Sequence, residues 1–444
     1  MAFEQLCERV EAARQRLGIP GVAVGVLHGG EERVAGFGVT NVEHPLPVTP
    51  DTLFQIGSIT KTFLGTAAMR LVERGALELD APVRRYLPDL RLADEASAER
   101  LTLRHLLTHT GGFQGDFFLD TGPGDDALER YVRRMAELPQ LSAPGELFSY
   151  CNSGFCLAGR VIEAVTGAPF EAALRELVLT PLGLERAAFF PAEVMTHRFA
   201  VGHFVGADEV RVLRPWPLPR ASNAAGGITT NVIELLRYAR AHLEGAPELL
   251  TDTSRAEMQA PQAPAGNSAD AVGITWMLRE VGGVKLVRHS GATHGQMADL
   301  VLAPEHGFAL AILTNGSRGG ELNAELWTWA LERYLGAAAP KPRFLELPAA
   351  QLERYAGRYE AALSAVELRV DGSGLVAQVV PKGGFPTIDT PPPPPPPPVR
   401  LAFFEADRVL VLDAPFKDSR AEFVRGADGQ IVWLRWGGRL HRRA

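Results

Sequence analysis

Ser58-Ile59-Thr60-Lys61-Thr62-Phe63-Leu64-Gly65-Thr66-Ala67-Ala68-Met69-Arg70-Leu71 carries the information that decides this chain. Apolar residues recur at Ile59, Phe63, Ala67 and Leu71, which predicts a helix from Ser58 to Arg74 closed by Gly75. A Ser at the opening of a helix and a Lys three residues on share one face, within hydrogen-bond reach. Ser is a weak nucleophile until a base takes its proton, and a neutral Lys can be that base. The helix start also offers N–H groups and positive potential to a developing oxyanion. With thirteen Ser and five Lys in the chain, chance supplies about 0.15 matches to S-x-x-K. The same pattern also fits a helix-capping Ser followed by an exposed Lys.

Working outward, residues 21–39 read as two strands joined at His28-Gly-Gly-Glu31, preceded by an amphipathic helix over 3–17 with Phe3, Leu6, Val10, Ala13 and Leu17 on one face. Helical patterns follow at 101–108, 126–136, 153–166, 170–178 and 231–243. Strands return at Val284–His289, Met297–Leu302 and Phe308–Thr314, before a last helix over Glu321–Leu335. Strands at both ends around a helical block predict one antiparallel sheet built from both ends of residues 1–335, beside a helical lobe. A Pro- and Ala-rich stretch, 336–349, reads as a linker. Beyond it, short alternating segments with hairpin signals at Asp371-Gly372 and Asp428-Gly429 predict a small β-sandwich or barrel over 350–444. Pro391–Pro398 is eight consecutive prolines, a polyproline II run of roughly 25 Å that reads as a surface loop and, less readily, as a ligand for a proline-reading module.

Two further motifs bear on chemistry. Tyr150-Cys151-Asn152 follows a Pro-Gly loop and opens a helix, where sites tend to form. A phenol near an ammonium can titrate low enough to act as base and then as acid to a leaving group. Asn152 can hold the Lys and a substrate carbonyl. His289-Ser290-Gly291 lies on a strand where Gly permits close approach of a ligand. H-x-G also occurs at His28 and His109, so only order and context select this copy.

Ser-x-x-Lys, Tyr-x-Asn about ninety residues later and His-x-Gly on a late strand together resemble the class C β-lactamase-like serine hydrolases, a group that includes penicillin-binding proteins and esterases. The stretches Gly18–Val24, Leu103–Phe113, Ala225–Asn231 and Leu302–Asn315 are similar as well, so the resemblance covers about residues 10–335. The segment from Tyr355-Ala-Gly-Arg-Tyr359 resembles the lipocalin-like C-terminal appendage of some members. The resemblance implies an α/β fold, β-lactamase/penicillin-binding-protein-like, with a central antiparallel sheet flanked by helices, a helical lobe and a separate small all-β C-terminal domain. It implies Ser58 as nucleophile, Lys61 as its activator, Tyr150 as general acid/base and Asn152 as a binder of the substrate amide. His289 and Gly291 would line the substrate site, and the backbone N–H groups of Ser58 and Ala292 would form the oxyanion hole. Antibiotic-directed members usually carry Lys in the third motif. His289, near pKa 6.5 if unperturbed, is largely neutral at pH 7 and gains charge only on acidification.

The implied activity is a serine hydrolase cleaving small esters or amides through an acyl-serine intermediate. D-amino-acid peptidase or amidase and weak β-lactamase activity are the rivals among enzymes. A non-catalytic binding protein on the same fold is the rival from another class. A net charge of −7 without a basic stripe argues against nucleic acid. No apolar run approaches the ~20 residues of a membrane span, so the expectation is a cytoplasmic protein acting on a small acyl substrate. No cofactor and no metal are expected, because the spacing of His105, His109 and His294 matches no zinc signature. The three cysteines give no disulfide framework.

Overall fold

The computed structural model describes residues 1–340, 342–372 and 374–444. Seven antiparallel strands form the central sheet, in the order Glu31–Gly38, Gly21–His28, Phe308–Thr314, Met297–Ala303, Val284–Ala292, Met277–Val281 and Ala271–Val272. The Gly21–His28 strand pairs with Phe308–Thr314 (Val24 opposite Ile312), which joins the two ends of the fold as the sequence predicts. Side chains alternate between faces, and both faces are covered, so the inner strands read as continuous apolar runs. Val22, Val24, Val26, Leu310 and Ile312 face the helices Ala2–Leu17 and Gly319–Leu335. Ala23, Leu27, Leu300, Leu302, Ala311 and Leu313 face the helical lobe. The strands Ala271–Val272, at the edge of the sheet, and Met277–Val281, next to it, escaped the sequence analysis: the first is two residues long, and Arg279 and Glu280 break the apolar pattern of the second.

The predicted Ser58–Arg74 helix begins differently. Gly57–Ile59 is a 3-10 turn, and the α-helix proper runs Thr60–Glu73. The turn is pressed against the end of the Val284–Ala292 strand, and two glycines make that possible. A Cβ on Gly57, whose φ is +51°, would sit 2.6 Å from the Ala292 amide nitrogen, and one on Gly291 would lie 1.8 Å from the Ile56 carbonyl oxygen.

The C-terminal part is a closed barrel of eight antiparallel strands from Gly357–Glu360 to Arg439–Arg443, sealed where Tyr359 pairs with Arg443. Closure removes both sheet edges, which decides for a barrel over a sandwich. Tyr359, Val366, Val409, Phe423 and Leu434 fill its core. The Asp428-Gly429 turn joins two strands as expected, and Asp371-Gly372 does likewise, with neighbouring Ser373 outside the described residues. In the 336–349 stretch Lys341 is likewise outside them, while Leu345 donates its amide to the Phe403 carbonyl. Pro391–Pro398 runs over the surface between two barrel strands, with the Gln378 amide donating to the Pro396 carbonyl at 2.9 Å.

The barrel docks on the helical lobe through its last hairpin. The Tyr150 amide donates to the Gly438 carbonyl at 2.8 Å, Arg435 Nε donates to the Phe148 carbonyl at 3.1 Å, and the Leu440 amide donates to Ser149 Oγ at 3.2 Å.

Because the atom met at 1.8 Å is backbone, Gly291→Ala has no cheap relaxation. It should destabilise the protein by about 3 kcal/mol, at the upper end for overpacking, and slow covalent labelling of Ser58. Thermal melting and fluorophosphonate labelling measure the two effects. An unshifted melt would place the glycine outside the constraint described.

Candidate active site

Four elements meet at Ser58. The 3-10 turn presents its hydroxyl, and one helical turn later Lys61 Nζ donates to Ser58 Oγ at 2.9 Å and to the Ala225 carbonyl at 2.6 Å. Lys61 is 0% exposed, so the alternative of a surface Lys behind a capping Ser is excluded. Stripping water from the ammonium lowers its pKa from 10.5 to about 7. Without a full carboxylate partner beside it, the amine is divided between charged and neutral forms near neutrality.

Tyr150 sits before the Asn152–Thr166 helix, its ring centroid 5.1 Å from Lys61 Nζ. A hydrogen bond with Ser58 favours ionisation of the phenol, but burial dominates and raises its pKa above the ordinary value. The sequence expectation of a phenol titrating low enough to act as base is not met; the tyrosine stays protonated. Lys61 is the group that titrates near pH 7.

His289 lies on the Val284–Ala292 strand, 6.2 Å from Tyr150 between ring centroids. Its Nδ1 is 2.6 Å from the Ser290 carbonyl, which can only accept, so Nδ1 carries the proton and Nε2 is left as a buried lone pair without a partner. Burial lowers its pKa from 6.5 to about 3. The imidazole is neutral at pH 7, as the sequence suggests, but the charge expected on mild acidification does not return. Gly291 and Ala292 lie against the turn that carries Ser58, a hypothetical Gly291 Cβ being 3.1 Å from the Ser58 nitrogen. The Ser58 and Ala292 amides therefore belong to touching segments.

Among the described residues Lys61 hydrogen-bonds Ser58 and Ala225, and the Asn152 amide hydrogen-bonds Asp116. Its Nδ2 donates to Asp116 Oδ1 at 2.7 Å, and since a carboxylate only accepts, this contact fixes the orientation of the amide. Asp116 also receives Arg439 Nε at 3.0 Å, and the Arg439 guanidinium lies 4.7 Å from the Tyr150 ring centroid. Arg439 follows the Gly437-Gly438 turn of the barrel's last hairpin, so the barrel itself supplies a cation to the rim of the site. His109 stacks on Tyr150 with centroids 4.3 Å apart, and its Nδ1 accepts the Cys151 amide at 2.9 Å. Sequence reasoning missed Asp116, Arg439 and this place for His109. The glycine pair before Arg439 signals a hairpin, but nothing local ties it to Tyr150.

Among the described residues, no group of three or more His, Cys, Asp or Glu side chains could hold a metal ion. No described helix is long and apolar enough to cross a membrane.

A sequence profile of the family described as Beta-lactamase matches residues 7–335. The chain belongs to the beta-lactamase family. Penicillin-binding protein 4 of Amycolatopsis lactamdurans is 34% identical over 349 residues, covering 75% of this chain and 91% of the relative. Esterase EstB of Burkholderia gladioli is 32% identical over 307 residues, 60% of this chain and 75% of the esterase. Among solved structures, SurE with D-Leu superposes with a TM-score of 0.76 at 26% identity and covers 99% of both chains, barrel included. These likenesses identify a serine hydrolase of the beta-lactamase superfamily.

The buried lysine makes stability depend on pH. Between about pH 7 and 10.5 the unfolded chain holds a proton on Lys61 that the folded chain has lost. Stability therefore rises with pH across that window; below it the cost of burying the charged amine is fully present and this group adds no pH dependence. Relative to Lys61→Met, the wild type should gain about 2 kcal/mol between pH 7 and pH 9, at about 1.4 kcal/mol per fully effective pH unit. Urea melts of both proteins at the two pH values test this, and parallel curves would mean that Lys61 is not neutralised by folding.

Proposed function

We propose that the protein hydrolyses small esters and amides through an acyl-Ser58 intermediate. One observation carries the reading: Ser58 Oγ lies 2.9 Å from a fully buried lysine whose pKa is lowered to about 7. A base poised near the working pH is effective in general-base catalysis. Neutral Lys61 takes the Ser58 proton as Oγ attacks the substrate carbonyl carbon. The Ser58 and Ala292 amides stabilise the oxyanion, in water-poor surroundings where fixed dipoles act strongly. The tetrahedral centre collapses, the bond to the leaving group breaks, and the protonated Tyr150 gives its proton to that group. Tyr150 regains a proton from Lys61, whose Nζ lies 5.1 Å from its ring centroid. Water then attacks the acyl-serine carbon and gives a proton to Lys61; the bond to Oγ breaks, Lys61 passes that proton to Ser58 Oγ, and the acid departs.

The burial of Lys61 weighs against the non-catalytic alternative. Holding this amine out of water costs stability that a pure scaffold has no reason to give up. His289 and the Arg439–Asp116 pair weigh against carboxylate-bearing antibiotics, because the first is neutral and the second is charge-compensated. A second reading, cleavage beside a D-amino acid residue, gains support from the likeness to SurE with D-Leu along the whole chain.

Ser58→Ala should abolish fluorophosphonate labelling and lower kcat by at least ~10³ on p-nitrophenyl acetate. Lys61→Ala and Tyr150→Phe should each cost about as much, and their double variant little more, since groups acting as a unit are non-additive. Labelling retained on another serine would reject the assignment. Additive losses would reduce Lys61 or Tyr150 to a structural part. In the wild type, kcat/KM should rise with pH through about 7 as Lys61 loses its proton.

A further inference from the structure

Two cavities meet at the Asp116–Arg439 pair. One, of about 530 Å³, is an open cleft between the helical lobe and the barrel, bordered by Ser149, Phe118, Ile388 and the ion-paired Glu360 and Lys382. The other, of about 330 Å³, lies in the mouth of the barrel, walled by Leu363, Val379, Val411, Phe416 and Trp436. Asp116, Ala361, Leu363 and Arg439 line both, so the open cleft leads to the barrel chamber past the pair that holds Asn152 and covers Tyr150.

The chamber walls are built for apolar content. Val379, Val411 and Trp436 are inward-facing members of the barrel core, and Phe416 packs edge-on against Trp436. His441 presents no charge, because burial lowers its pKa to about 4 and its Nε2 pairs with Ser364 Oγ at 3.0 Å. Among the described residues two cations line the chamber: Arg439 at the neck is matched by Asp116, and Arg420 is exposed and lies over the Phe404 ring at 5.5 Å. Native cores rarely keep voids larger than a water molecule, and empty apolar space forfeits contacts on every wall. Eight-stranded barrels have room for one small ligand when side chains leave the mouth unfilled.

We propose that this chamber receives the apolar portion of the substrate's leaving group, an aliphatic or aromatic group about the size of an amino-acid side chain. The assignment to the leaving group rests on the acyl-serine reading above, in which Tyr150 protonates that half of the substrate. Arg439 lies over the Tyr150 ring on one side and lines the chamber on the other. The barrel then selects what departs, and the sheet and the 3-10 turn handle the acyl half.

The test uses the full chain and two ester series. Acetate esters of methanol, butanol and 2-phenylethanol vary the leaving group; p-nitrophenyl acetate, butyrate and hexanoate vary the acyl group. In the wild type, kcat/KM should rise about three- to fourfold for each methylene added to the alcohol, the factor expected for burying one methylene. Leu363→Trp at the rim and Val379→Phe on the wall each fill the chamber. Each should cut the phenylethyl-to-methyl ratio at least tenfold while leaving the acyl-series ratios within twofold. Val379→Phe keeps the test open should Leu363→Trp fail to fold, as read by thermal melting. A wild-type rate independent of alcohol size, unchanged ratios in both folded variants, or a change confined to the acyl series would each overturn the proposal. Binding of 2-phenylethanol to Ser58→Ala, followed by ligand-observed NMR, separates this inference from the catalytic one. Binding retained there and lost with Val379→Phe added supports the chamber even if Ser58 proves not to be the nucleophile; no binding sinks it.

Discussion

The removal of Lys61 from water is the constraint on which the rest of the site depends. An amine with 0% exposure must find donors' partners or give up its proton, and here it does some of both. Ser58 Oγ and the Ala225 carbonyl accept from it, and its pKa falls to about 7. The surroundings that achieve this are closely packed. Gly57 and Gly291 let the turn that carries Ser58 and the neighbouring strand touch backbone to backbone, while the rings of Phe155 and Tyr150 lie 5.3 and 5.1 Å from the ammonium. A looser fit would admit water, return the lysine to its ordinary range and leave Ser58 without a base near pH 7.

The same desolvation sorts the other titratable groups. Tyr150, half-buried beside Lys61, has its phenol pushed up by desolvation, and His289 and His109 are pushed down. Three of these neighbours are thereby held neutral, and the proton that moves near neutrality belongs to the lysine. Fixed charge enters from elsewhere, through the Arg439 and Asp116 pair, and its partners bind the two folds of the chain together. Asp116 holds the Asn152 amide of the helical lobe and the guanidinium of the barrel at once. The barrel is therefore coupled to the helical lobe through hydrogen bonds to Phe148, Ser149 and Tyr150, three consecutive residues ending at the proposed acid.

Much of this was legible in the residues. The apolar period of Ile59, Phe63, Ala67 and Leu71 locates the helix that follows Ser58 within a residue or two, and the strands at 21–28, 284–292, 297–303 and 308–314 are marked by their apolar runs. The hairpins at Asp371-Gly372 and Asp428-Gly429 announce an all-β end. The strands at 271–281 were hidden, because the outermost one pairs with its neighbour only at Met277 and Leu278, and Arg279 and Glu280 lie beyond that pairing, where charges are tolerated.

What the sequence by itself determined was the set of reactive residue types and the local elements that carry them. Spacing within one helix fixes the Ser58–Lys61 contact, since residues three apart on a helix meet whatever surrounds them. What only the tertiary structure decided was their state and their company. Whether a lysine is charged depends on how much water the whole fold excludes, which no local pattern encodes. That Arg439 reaches Tyr150 depends on how a barrel formed by the last ninety residues sits on a lobe formed by the middle of the chain. Hydrogen bonds and packing between segments distant in sequence set that placement, and they leave no period or motif behind them.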